Sequence, residues 1–484
     1  MNTTSRNYWS LYVEFLEVFK DLNYKGFSIP YLCHFRSLNH ENKYIWDHLS
    51  SEEFIKSLSH EVRDQKTLQQ IFNTYKQSHI NRKTSKLFNK ASHTNGKVVL
   101  YDAYNLIRFP KEIITKHFSP TSTIFLQDYK LNEKPKVIKG IPVEGIPSHY
   151  LEEYSANVSS NIQILKDKAD KIISTYTGHP MFNNETFKKY FYMQIEGIVN
   201  RIEEANRYFR KNPVSCIIFS STHYYQCRTI AMVAAELGIP TICMQHGIIG
   251  DERGYMPKIA DVDAVYSNFE INWFKQLDIS DQALEVIGHP RFDTIHQDPS
   301  VSKNELEKQL ALKENKKTIL IIVRGKIQIE KWEKLIKILD KTGDYNIVIK
   351  DYPYLTHQLT AISPNLYPSK HFQLYDLIHH SDLVVSYIST VGLEAMIAKK
   401  PVFVLSTPFP TYTGYFDSLG ELVQSDPLII SKMINNYFID EKFKELVEEK
   451  REAFLSQAYP AAKPSGDRLV DLVNRLAKSI RDSH

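Results

Sequence analysis

Residues 214–247, VSCIIFSSTHYYQCRTIAMVAAELGIPTICMQHG, decide the fold. The apolar run at 214–220 reads as a strand, RTIAMVAAEL at 228–237 as a helix, and PTICM at 240–244 as a second strand. Gly238 stands where a helix ends in a left-handed residue, and Pro240 marks the turn into the next strand. Together these form one strand–helix–strand unit. In open parallel sheets, ligands bind beyond the C-terminal ends of the strands. The second strand therefore carries Gln245, His246 and Gly247 to the ligand-binding edge.

The same texture extends in both directions. KVVLYDA and STIFLQD upstream are strand-like, and each ends in Asp; a long helical region follows from about 154 to 210. DAVYS and LEVIG are further short strands. A second series begins near Lys317, where TILIIV, IEKWEKLIKIL, YNIVIK, LYDLIHHS, LVVS, TVGLEAMIA and PVFVLS alternate strand and helix. Alternation of this kind predicts parallel sheets with helices on both faces. The charged stretch DPSVSKNELEKQLALKENKK separates the two series. The expected architecture is α/β, with two facing Rossmann-like domains at 96–300 and 301–428. A helical extension at 1–95 precedes them, and helices at 429–484 pack back across them.

Composition narrows the function classes. A chain of 484 residues exceeds one ordinary core. A net charge of +4 advertises no field for polyanions, so nucleic acid is not an expected partner. Four cysteines, at 33, 216, 227 and 243, form no CxxC pair and suggest neither a zinc site nor a disulfide framework. No signal peptide and no run of about 18 apolar residues is visible. The expectation is a cytoplasmic protein, with peripheral attachment to the inner membrane face left open.

Several strand tips carry chemistry. His246 has the ordinary pKa of a general base, and Gly247 lets backbone approach a substrate closely. A buried histidine satisfied by a neighbouring strand end is the plainer alternative. In SDLVVSYISTVGLEAM a strand ends at Ser386 and a helix starts at Ser389 or Thr390. A helix N-terminus receives phosphate, with Ser389, Thr390 and Gly392 at hand, and Glu394 one turn in suits the hydroxyls of a ribose. Arg324 and Lys350 end neighbouring strands, placed to neutralise a diphosphate or simply to be solvated. His289 and Arg291 in VIGHPRFD border the domain linker, as hinge or as substrate contact. The pair Asp261 and Asp263 reads as turn or cap residues. The adjacent His379 and His380 cannot readily chelate one ion, and no metal or cofactor is expected.

Taken together, PTICMQHGIIGDERGYMPKIADVDAVYSNFE, VIGHPRFD and SDLVVSYISTVGLEAMIAKKPVFVL resemble the GT-B superfamily of nucleotide-sugar-dependent transferases. The likeness is to bacterial surface-polysaccharide enzymes, including the spore-coat group and the CDP-glycerol glycerophosphotransferases. It implies a nucleotide-sugar donor, or CDP-glycerol, held by the C-terminal domain through Ser389, Thr390, Gly392 and Glu394. A polysaccharide or lipid-linked acceptor would lie on the N-terminal domain, with His246 as the candidate base. KDYP carries Tyr352 where polyglycerol-phosphate-type enzymes have His, which tilts the expectation from glycerophosphate transfer toward sugar transfer. A 2-epimerase and a non-catalytic binding protein are the remaining readings.

Overall fold

The computed structural model describes residues 1–81, 95–103, 106–130, 145–324, 328–351, 359, 366–369, 372–406, 410–459 and 463–482. Thirteen of its strands build two parallel sheets. The first sheet holds β1 Lys97–Tyr101, β2 Thr123–Gln127, β3 Ser148–Tyr150, β4 Val214–Phe219, β5 Thr241–Met244, β6 Val262–Val265 and β7 Leu284–Val286. Their spatial order is β3-β2-β1-β4-β5-β6-β7. The second holds β8 Lys317–Val323, β9 Tyr345–Asp351, β10 Leu366–Pro368, β11 Leu383–Ser386, β12 Val402–Leu405 and β13 Val423–Gln424, ordered β10-β9-β8-β11-β12-β13. Each chain starts mid-sheet, winds outward and returns to the other side. The result is two switch points, between β1 and β4 and between β8 and β11, where crevices open beyond the strand ends.

The strands are parallel because helices cover both faces. VSCIIF in β4 is buried at every position, and β8 at all but the first. The N-terminal region is no loose appendage: α1 (Thr3–Val18) shares one core with the first sheet, Tyr12, Phe15 and Phe19 joining Phe187, Phe191 and Phe219. The helical region expected from about 154 to 210 is two helices, α2 (Ser159–Ser174) and α3 (Glu185–Lys211). Gly178 and Pro180 fall in the gap, where proline removes a donor and glycine favours the turn. The decisive helix is α4 (Tyr225–Leu237), closed by Gly238 at φ +70°.

One buried guanidinium fastens the N-terminal region to this unit. Arg228 on α4 donates to Tyr12 Oη at 2.8 Å, to the Cys33 carbonyl at 2.7 Å and to the Tyr31 carbonyl at 3.3 Å. A charge this deep is tolerable because its donors are matched to oxygens.

The two sheets are joined at several points. The second carries α5 (Thr390–Ile397) directly after β11, and ends in α6 (Glu441–Ala458) and α7 (Ser465–Asp482). Leu469, Leu472 and Val473 of α7 pack with Leu100, Ile218 and Ile242 of the first sheet, so the last helix returns across the joint. Asp293 caps it, accepting from the Ser465 and Gly466 amides at 2.8 Å each. This is the GT-B arrangement of two facing Rossmann-like domains. No described helix is long and apolar enough to cross a membrane.

Gly288 tests the joint. Its φ is +76°, and a Cβ there would sit 2.5 Å from Tyr459 Oη and 2.6 Å from Ser465 Oγ. Gly288→Ala combines a left-handed penalty with overpacking and is expected to cost about 2–4 kcal/mol in urea denaturation. Gly238→Ala, at φ +70° with nothing within 4 Å, is expected to cost only about 1 kcal/mol.

Candidate active site

The crevices at the two switch points face each other and enclose a cavity of about 650 Å³. The segments after β1, β4, β5, β8 and β11 all reach it, supplying Arg108, Tyr224, His246, Arg324 and Thr390. The loop after β5 is also the seam between the domains. Ile248 N donates to Thr390 Oγ1 at 3.0 Å, and Thr411 Oγ1 donates to Asp251 at 2.7 Å. Asp251 and Tyr412 form an antiparallel bridge, and Thr413 donates to the Ile249 carbonyl. A Cβ on Gly247 would meet Thr390 Oγ1 at 3.1 Å and Tyr255 Oη at 3.4 Å, so glycine permits the close approach. Tyr255 Oη holds the loop from beneath, donating to the Gly247 or Ile248 carbonyl at 2.8 and 3.1 Å.

His246 lines this cavity, its ring stacked on Tyr255 with centroids 5.2 Å apart. Burial pushes its pKa down to about 4, helped by the nearby charges of Lys258, Arg291 and Arg108, against a backbone hydrogen bond with Ser220. The imidazole is thus neutral at pH 7 and able to accept a proton. Gln245 beside it turns inward. Its amide donates to Glu270 Oε1 at 2.9 Å and the Gly247 carbonyl at 2.8 Å, while its oxygen accepts from Tyr266 N at 3.0 Å. Gln245 shapes the loop and does not line the cleft. Glu270, fully buried, is pushed up to about 7 by desolvation against the Gln245 and Ser267 hydrogen bonds.

At the opposite wall, Arg291 Nε meets Glu394 Oε1 at 3.0 Å, joining the turn Pro290–Thr294 to α5. Tyr375 Oη donates to the same oxygen at 3.3 Å. Burial pushes the Glu394 carboxyl above its usual range, while Arg291, Tyr375 and the Arg108 charge pull it back. His289 is wholly buried behind Arg291, and its Nδ1 accepts from Arg291 N at 3.2 Å as the cap of that turn. Ser389 caps α5 by position only: its hydroxyl lies 2.9 Å from Ser386 Oγ and makes no hydrogen bond to the first helical amides. The Gly392 amide donates to the Ser389 carbonyl at 3.1 Å, and the Thr390 and Val391 amides remain available to an anion. Gly392 faces away from the cleft, its open side toward Phe416 and Ser386 at 3.4 and 3.6 Å, ordinary contact distances for a Cβ.

The two expected cations part company. Arg324 is exposed and lines the cleft. Lys350 does not; its ammonium donates to the Phe372 carbonyl at 2.7 Å and ties down the segment before Tyr375. Gly325, Lys326, Tyr352 and Pro353 lie outside the described residues. Asp261 accepts from Thr241, Asp263 pairs with Lys258, and His379 and His380 contact the Ile295 and Val301 carbonyls.

Two arginines of the cleft escape the sequence reading. Arg36 comes from the N-terminal helical region, held near the cavity by the Arg228 clamp on Cys33. Arg108 follows β1 at φ +49°, a conformation that costs a non-glycine residue about 1–3 kcal/mol. Asp102 organises that segment, accepting from the Leu106 and Ile107 amides at 2.8 Å each. The Asp that ends each upstream strand was the one available signal. Four arginines therefore line the cleft, Arg36, Arg108, Arg291 and Arg324, against the carboxylates of Asp251 and Glu394. Asp251 is already paired with Arg253, and Glu394 with Arg291. The remaining field is positive.

Comparisons with known proteins agree with this fold. Residues 250–421 match the sequence profile of the CDP-Glycerol:Poly(glycerophosphate) glycerophosphotransferase family. That stretch contains the Arg291 turn, α5 and the loop after β5 from Gly250 onward, but not His246, and its match is to a transferase. A solved UDP-N-acetylglucosamine 2-epimerase aligns over 79% of this chain and 97% of its own, at 12% identity and TM-score 0.50. The wall teichoic acid polymerase TagF aligns over 86% and 97%, at 14% identity and TM-score 0.46. Anabaena Alr3699/HepE, solved with UDP and glucose, aligns over 80% and 100%, at 12% identity and TM-score 0.47. Of the three, only the epimerase likeness bears on the argument, and at 12% identity it speaks to the fold alone. No curated protein matches the chain in sequence.

Two measurements test this electrostatic picture. Arg291→Met leaves Glu394 buried without its cation and is expected to lower stability by about 3–5 kcal/mol in urea denaturation. The His246 ring, followed by NMR, is expected to titrate near 4 in the empty cleft, and higher once an anion screens the arginines. A midpoint near 6.5 would mean that the ring is solvated.

Proposed function

We infer that this chain is a glycosyltransferase that takes a nucleotide-activated sugar and delivers it to a surface-polysaccharide acceptor. The observation that carries the reading is the arginine-lined cleft between two switch points, with the uncapped N-terminus of α5 in its wall. The donor's diphosphate would lie at Ser389 and Thr390, with Arg324 as countercharge. Arg291 and Tyr375 both contact Glu394 Oε1, which leaves Oε2 to accept from a ribose hydroxyl.

The acceptor would enter past Arg36, Arg108 and Tyr224. Its hydroxyl loses a proton to neutral His246 as it attacks the anomeric carbon. The bond from that carbon to the diphosphate oxygen breaks, and a nucleoside diphosphate leaves with the electron pair. Closure of the seam would exclude water, whose attack would waste the donor. A depressed pKa makes His246 a weak base in the empty cleft. Arrival of the donor's negative charge would strengthen it. Gln245, His289, Gly392 and Lys350 act here as supports for that arrangement.

Transfer of glycerophosphate from CDP-glycerol is the second reading, favoured by the family match over 250–421. The leaving group separates the two. Sugar transfer releases a nucleoside diphosphate, whereas glycerophosphate transfer breaks the diphosphate and releases CMP. Purified protein is given CDP-glycerol or UDP-, CDP-, GDP- and dTDP-sugars with polysaccharide and lipid-linked acceptors, and released nucleotides are resolved by chromatography. The expected product is a nucleoside diphosphate, with His246→Ala slower by about 10²–10⁴-fold. CMP from CDP-glycerol would replace this reading with the second. Turnover of UDP-GlcNAc without acceptor would point to an epimerase.

A further inference from the structure

A second cavity, of about 670 Å³, shares no lining residue with the cleft. It lies among the turn Pro290–Thr294, the C-terminal end of α5, the last turns of α6 and the start of α7. Its volume falls within the usual range for small-molecule sites. Phe292, Ile397, Leu455 and Tyr459 give it an apolar wall.

The charged groups around that wall are unbalanced. Lys399, Arg451, Lys463 and Arg468 line it against two carboxylates, Asp293 and Glu452. Asp293 already accepts the Ser465 and Gly466 amides, Glu452 lies 3.5 Å from Arg451, and Lys463 pairs with Asp471 at 2.5 Å, which leaves Lys399 and Arg468 in excess. Arg451 is only 8% exposed, anchored by one hydrogen bond to the Lys399 carbonyl at 2.9 Å. Arg468 donates to Ser465 Oγ at 3.3 Å, and its Nε is buried without a hydrogen-bond partner. Among the described residues no carboxylate pairs with Lys399 or Arg468, and an oxyanion in the cavity would supply that countercharge.

We propose that this rear cavity is a regulatory site for a small amphipathic oxyanion, an apolar body carrying one phosphate or carboxylate. The apolar wall takes the body and the guanidinium groups take the head. A neutral apolar ligand offers no countercharge to Lys399 and Arg468, which disfavours it.

The cavity is wired to the cleft by two short rigid elements. The turn Pro290–Thr294 sends Arg291 into the cleft and Phe292 and Asp293 into the rear cavity. Helix α5 sends Thr390 and Glu394 into the cleft and Ile397 into the rear cavity. A ligand that repacks Phe292 or Ile397 therefore acts on the Arg291–Glu394 pair, which supplies the differential contact that coupling requires.

The test uses octyl phosphate as probe and octyl glucoside as its uncharged counterpart, titrated calorimetrically into the full chain. Octyl phosphate is expected to bind one site per chain, about tenfold or more tighter than octyl glucoside. Ser456→Trp, at an exposed lining position, fills the cavity and is expected to weaken octyl phosphate about tenfold or more. Arg451→Met is expected to do the same; the exposed Ser456 site keeps the test independent of folding. Hydrogen exchange at 387–394 is expected to change with octyl phosphate in the wild type and not in Ser456→Trp. Absence of binding, or equal binding to wild type and Ser456→Trp, overturns the site. Binding with unchanged exchange at 387–394 overturns its regulatory role.

Discussion

A guanidinium and a carboxylate, Arg291 and Glu394, meet at 3.0 Å across the joint of two parallel-sheet domains. Neither belongs to a loop that is free to adapt. Arg291 sits in a turn capped by the buried His289, and Glu394 lies one turn into α5. Burying such a pair costs several kcal/mol per ion in desolvation unless geometry and further hydrogen bonds compensate. Tyr375 provides one such bond, and Lys350 fixes the segment that carries Tyr375. The rest of the cleft inherits its position from this contact.

The loop after β5 is the second element of the joint. It serves structure and chemistry together, since Gly247 lets backbone meet Thr390 while His246 remains in the cavity. That dual use explains the sudden end of the apolar run at Gln245-His246-Gly247. Gln245 spends its carboxamide on Glu270, Tyr266 and Gly247, so the imidazole is presented from a fixed frame. Low dielectric and surrounding cations keep that imidazole neutral.

Much of this was legible in the sequence, and the reasons it stopped being legible are physical. Periodicity and Gly238 reveal the strand–helix–strand unit, because parallel strands buried on both faces must be apolar throughout. Strand tips then locate the crevice. What a tip residue touches is set by neighbours far along the chain. Lys350 and Arg324 have the same apparent placement, yet one meets the Phe372 carbonyl and the other the cleft. Gly392 reads as a phosphate residue, yet its open side is turned toward Phe416 and Ser386. Arg36 was invisible for the same reason, since its place depends on Arg228 holding a segment almost two hundred positions away, separations of 195 to 216 residues along the chain.

Whether both domains contribute to one binding site is read by hydrogen–deuterium exchange with UDP and with CDP. A bound nucleotide is expected to slow exchange in 245–255 and in 386–394 together, because the Ile248–Thr390 contact makes them one surface. Protection confined to one of those segments, or falling outside both, would contradict it.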